Sequence, residues 1–192
     1  KKINLIFMGY RFVYLKQICK SMETNLKKNS IDLGVKLGTL LFLVTAVIYI
    51  VDVKLYTNFT TMLAYMIPAL AFSIYSVFSA RKLQNQIISF KEAFIAYFLC
   101  IAIGYLILTM GNIALFKFID PAAADLIHEE IMIASKEMLE NFGTPSDVIS
   151  ATMDEMQNNH SFSYAAIFQN YANALLRNAI FGLIIAAIFK KS

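Results

Sequence analysis

The sequence predicts an all-α integral membrane protein: a four-helix bundle carrying an extracytoplasmic helical hairpin between spans three and four. Three observations carry this. Of the 192 residues, 58% are apolar and only 16% charged, and the mean hydropathy is +0.60, whereas a soluble domain is about 45–50% apolar and about a quarter charged. Four apolar runs are each long enough to cross a bilayer. The basic residues sit at the ends of those runs rather than along a soluble face, which argues against a nucleic-acid partner despite the formal charge of +4.

A helix rises about 1.5 Å per residue and the hydrocarbon core is about 30 Å thick, so a span needs roughly 20 apolar residues. The first candidate is Leu33–Val51, interrupted only by Lys36, which can snorkel to the headgroups and pair with Asp32 one turn earlier. The second is Thr61–Ala80, with Pro68 inside it and Ser73 and Ser76 available to satisfy the backbone groups that proline frees. The third is Ala93–Phe116. The fourth is Tyr171–Phe189, continuing a helix that begins near Ser163. Two short connections and one long one fit an up-down-up-down bundle with a single polar excursion.

Orientation follows from lysine and arginine placement. The leader, the second connection and the C-terminus hold twelve, whereas the first hairpin and the long segment 117–170 hold three, Lys54, Lys117 and Lys136. Both termini are therefore expected in the cytoplasm, with segment 117–170 facing outward. That segment carries nine of the thirteen acidic residues. Residues 1–21 mix basic and apolar side chains without a regular period and lack a signal-peptide cleavage pattern. They are read as a non-native upstream extension or a disordered basic leader, with Met22 the expected start of a single domain, 22–192.

The outward segment reads as two helices. Asp120 caps the first, Pro121 occupies its first position, and Ile127, Ile131, Ala134 and Met138 share one face until Gly143 stops it. Thr144 is the expected cap of the second, followed by Pro145 and Asp147, with Val148, Ile149, Met153 and Met156 on its apolar face. Asp125, His128, Glu129 and Glu130 crowd together, but the second histidine of a zincin motif is missing and His160 lies thirty-two residues away. A solvated acidic face is expected there, with no metal and no cofactor.

Ionisable groups inside spans point to function by default. Here Gln169 (or Asn170), Asn173 and Arg177 step by about four residues, forming a polar stripe on the fourth helix, with Asn112 of the third span at a similar height. This stripe is either a hydrogen-bonded seam that sets helix register or an anion or headgroup site. Gly34 and Gly38 form a GxxxG pair, and Gly104 and Gly111 share a face of the third span; such residues permit close helix packing within one bundle or between copies. Cys19 and Cys100 are too differently placed for a disulfide, and no nucleophile–base pair, phosphate loop or intramembrane carboxylate is visible.

Several segments resemble a known family. Ile88-Ser89-Phe90-Lys91-Glu92-Ala93-Phe94, Lys117-Phe118-Ile119-Asp120-Pro121 and Leu33-Gly34-Val35-Lys36-Leu37-Gly38 stand in the order and spacing of the Bacteroidetes-type membrane family catalogued as domain of unknown function 4199. The resemblance runs from about Asn25 to Lys191. It implies a four-span inner-membrane protein starting at Met22, and brings no catalytic or binding residue with it. Two functions stay open. A non-enzymatic accessory or assembly protein would use the acidic hairpin to meet a membrane or periplasmic protein. A small oligomeric transporter or channel would line its pore with the seam around Arg177. Beyond the lipid bilayer, a protein partner and a homo-oligomer are the associations expected.

Overall fold

The computed structural model describes the backbone of residues 2–190 and the side chains of residues 24–190. The expectation for residues 1–21, and Cys19 with it, lies outside the residues whose side chains are described. Six α-helices follow one another: α1 (Lys2–Val51), α2 (Phe59–Leu83), α3 (Phe90–Ile113), α4 (Pro121–Asn141), α5 (Ser146–Asn158) and α6 (Tyr164–Phe189). A 3₁₀ turn (Val53–Thr57) joins α1 to α2, and a π-helical turn (Ala114–Ile119) extends α3. No strand occurs among the described residues. Four segments are long and apolar enough to cross a membrane: Thr24–Val51, Phe59–Leu83, Phe90–Ile119 and Tyr164–Phe189. They contain the four spans expected from hydropathy. The protein is an all-α bundle of four membrane-spanning helices.

The helix ends follow local chemistry. Ser89 and Glu92 form a capping box at α3, the serine accepting from the Glu92 N–H and the carboxylate from the Ser89 N–H. Ser163 caps α6 by accepting from the Ala166 N–H. Asp120 caps α4 through the Ala123 N–H, with Pro121 next. Gly143, at φ +68°, ends that helix with the Thr144 N–H reaching back to the Leu139 carbonyl. The start of α5 departs from expectation. Its flanking residue is Pro145, not Thr144, and no side chain caps it, because the backbone is already committed to closing α4.

Helix α3 is the hub. It packs against α1, α2 and α6, while α6 touches α2 only slightly and, among the described residues, makes no contact with α1. Lipid tails are as apolar as leucine, so helices associate in a membrane through close packing rather than water exclusion. The four glycines singled out above all sit where α1 meets α3. A Cβ on Gly34 would lie 2.8 Å from the Cys100 carbonyl oxygen, and one on Gly38 2.7 Å from that of Gly104. Gly104 and Gly111 receive the side chains of Leu37 and Phe42. Their small faces are taken up inside this chain, leaving none for a second copy.

Polar groups pin the same core. Ser76 Oγ donates to the Ala96 carbonyl (2.8 Å) and lies 3.1 Å from Ser30 Oγ, joining three spans. Thr45 and Tyr65 share a 2.8 Å bond between α1 and α2. The expected repair at Pro68 does not form. Ser73 donates to the Ala69 and Leu70 carbonyls, since a helical hydroxyl reaches only three or four residues back, and Ser76 turns to the neighbouring helix.

Candidate functional site

The most chemically varied region lies at the α4–α5 end of the bundle. Helix α4 rests on it through three contacts. Tyr49 donates from α1 to the Asp120 carboxylate at 2.7 Å; this bond, with the Ala123 and Ala122 N–H groups, holds that carboxyl below the usual carboxylate range. Lys54 of the 3₁₀ turn lies 3.4 Å from Glu130. Phe116, 1% exposed, meets the rings of Tyr49, Tyr56 and Phe162 at 6.3, 5.8 and 5.0 Å. The π-helical turn makes this possible: its extra residue brings Leu115 and Phe116 both inward under α4. On α4, Ile127 is buried and Ile131 and Ala134 half-buried, but Met138 is exposed, because α4 overhangs the bundle beyond its third turn.

The two histidines, remote in sequence, come together here. Their rings lie 4.3 Å apart and tilted by 34°. His128 Nδ1 accepts from the Ser161 N–H (3.2 Å) and is 2.8 Å from Ser161 Oγ. His160 Nδ1 accepts from the Phe162 N–H (3.1 Å), which leaves its Nε2–H to donate to Asp125 (3.1 Å). Both rings are thus tied by the nitrogen that must stay unprotonated. Burial pushes the His128 imidazole below its ordinary value, and His160 acts in the same direction against the pull of Asp125 and the Met156 carbonyl. Sequence reasoning missed this pair: thirty-two residues and a full helical hairpin separate the two, and no local spacing announces it. Among the described residues, no three His, Cys, Asp or Glu side chains converge on a metal-sized point.

Below the histidines a cavity of about 250 Å³ opens between α3, α6 and α4. Tyr56, Tyr105, Asn112, Asn170 and Tyr171 supply most of its polar lining. Asn112 Oδ1 is buried with no hydrogen-bond partner among the described residues. No carboxylate, lysine or arginine lines it, so its chemistry is that of neutral hydrogen-bonding groups.

The expected seam is divided. Asn112 faces this cavity together with Asn170, the alternative to Gln169. Gln169, Asn173 and Arg177 lie on the exposed side of α6 and do not meet Asn112. The register is set by Gly182 and Ala186, the two buried residues of α6, which turn the opposite face to α3. A Cβ on Gly182 would lie 2.8 Å from the Tyr97 ring.

Fold and composition together define a multi-pass membrane protein whose sole sizeable addition to four spans, among the described residues, is a helical hairpin. A family model described as "Protein of unknown function (DUF4199)" matches residues 32–191. The chain belongs to that family. No curated protein and no solved structure matches it.

Proposed function

We propose that this chain is a non-enzymatic accessory protein of a bacterial inner membrane, with both termini cytoplasmic and the acidic α4–α5 hairpin turned outward to contact a protein partner. The observation that carries the reading is how little of the hairpin the chain uses for itself. Helix α5 touches α4 alone and has no buried residue. Met138, Phe142 and Val148 gather near its turn, all exposed, with Phe142 at 80%. Exposed apolar groups among acids are the usual composition of a contact surface rather than of a solvated cap. The twelve-to-three distribution of basic residues supports the orientation.

The test has two parts. A cysteine at Asn141 reacts with a membrane-impermeant maleimide in intact cells, whereas one at Lys82 reacts only after permeabilisation; the reverse pattern removes the orientation. A photo-crosslinker at Val148 captures one protein in stoichiometric yield, and Phe142→Asp lowers that yield at least about fivefold with unchanged helicity, as loss of an apolar anchor does. Crosslinking to lipid alone would sink the proposal.

The second reading, a small oligomeric transporter or channel, draws on the exposure of Gln169, Asn173 and Arg177. Only assembly could enclose them. Ion flux through reconstituted vesicles that disappears in Arg177→Leu would favour it.

A further inference from the structure

Arg177 stands midway along α6, about 20 Å from Tyr164 and about 18 Å from Phe189. Its level is fixed by contacts with α3. Gly182 packs beside Tyr97 and Phe94 on one side of it, and Tyr171 Oη donates to the Ala102 carbonyl on the other. Phe94 and Tyr97 lie one and two turns into the α3 span and Ala102 near its middle, so Arg177, between the two levels, lies well inside the membrane. It is exposed, and its neighbours on that face are exposed apolar residues: Leu176 (66%), Ile180 (63%) and Ile184. It makes no ion pair or hydrogen bond among the described residues.

A lone cation on a lipid-facing surface at this depth is costly, about 2.5–3.5 kcal/mol even on the lenient insertion scales. Snorkelling does not remove the cost, because an arginine side chain is far shorter than the distance to either end. The membrane-spanning segments offer no remedy of their own. Asp32 is spent on Lys36 at 2.7 Å, Glu92 sits in the capping box of α3, and both belong to the end remote from α4. A second copy brings another Arg177 to the same depth and no carboxylate. The surface itself is also open: only 17% of the apolar stretch of α6 is buried, against 28–33% in the other spans, and among the described residues α1 does not reach it.

We propose that the Arg177 face of α6 receives a transmembrane helix of another protein that carries an aspartate or glutamate near its centre, with Asn173 and Gln169, one and two turns further on, hydrogen-bonding along the same seam. This names the partner chemistry of an accessory protein, but it rests on a surface separate from the α4–α5 hairpin, so either can fail without the other.

The probe is a labelled polyleucine transmembrane peptide with one central aspartate, compared with the same peptide bearing leucine or lysine there. The full chain is reconstituted with each in phosphatidylcholine vesicles and association is read by energy transfer. The aspartate peptide binds about tenfold more tightly than the leucine peptide, the size of a good intramembrane polar contact. Arg177→Gln loses this preference, Arg177→Lys keeps it, and Arg177→Glu transfers it to the lysine peptide. Phe142→Asp leaves it unchanged. Should Arg177→Gln not fold, the charge-retaining and charge-reversing variants still decide the matter. Equal binding of the three peptides to the wild-type chain overturns the proposal, as does an aspartate preference that survives Arg177→Glu. Loss of the preference in phosphatidylglycerol vesicles, with that lipid co-purifying with the wild-type chain and not with Arg177→Gln, gives the site to a lipid headgroup instead.

Discussion

His128 and His160 show how much two side chains can hold. On α4, His128 accepts the Ser161 N–H at Nδ1, so the segment after α5 is tied back onto α4 while that nitrogen stays bare; His160 Nδ1 accepts the Phe162 N–H within the segment itself. Protonation of His128 removes the acceptor of the Ser161 N–H and places a cation against the His160 ring. The sign follows from the His128 shift. A histidine held below its ordinary value favours the unprotonated folded form. Its contribution is present above the unfolded value, near 6.5, and is lost as pH falls from there through the lower folded value. The protection factor of the Ser161 amide should therefore fall on acidification below about pH 6.5, and more than those of α3 amides. In His128→Asn that pH-dependent fall should vanish; an unaltered pH profile in that variant would show that His128 does not hold the segment.

At the scale of the element, α4 depends on its first turn. Asp120 caps the helix through Ala123 and receives the Tyr49 hydroxyl, so one carboxylate both starts α4 and moors it to α1. Asp120→Ala should cost about 1 kcal/mol from the cap, together with the mooring, and should raise exchange through the first turn of α4 while leaving the spans unchanged. Asp120→Asn retains an acceptor for the cap and should recover most of the loss; if both variants matched the wild type, the cap would be structurally idle. The cap, the Pro121 start and the Gly143 stop were legible because each is a local rule written in adjacent residues. The start of α5 was not: Thr144 looked like a cap on its own, but its N–H closes the preceding helix. The face of α4 was half legible. Periodicity placed Ile127 and Met138 together, but only the extent of the surface beneath decides where along the helix burial stops.

The whole molecule hangs on α3. Helix α1 meets it with two glycines at backbone contact, whereas α6 meets it through Gly182 against a tyrosine ring. Gly38→Ala should lower bundle stability by about 1–3 kcal/mol, because the added carbon meets a carbonyl that cannot move aside. Gly182→Ala should cost less, since the Tyr97 ring can turn, and should loosen α6 alone. Thermal melts in detergent, with protease accessibility of α6, separate the two; equal costs would mean that the α1–α3 approach has more slack than its geometry implies.

By itself the sequence determined the membrane class, the four spans, both ends of α4 and the family. Each depends on apolar length, on adjacent residues or on ordered short motifs, which need no knowledge of neighbours in space. It also picked out Arg177, because a charge within an apolar run is conspicuous wherever it points. Tertiary structure decided the directions. The rotation of α6 about its axis is set by Gly182 and Ala186 packing on α3, and that rotation leaves Asn170, itself exposed, lining the cavity with Asn112 and keeps Gln169, Asn173 and Arg177 away from it. A one-dimensional stripe fixes which residues share a face; only packing decides what that face meets.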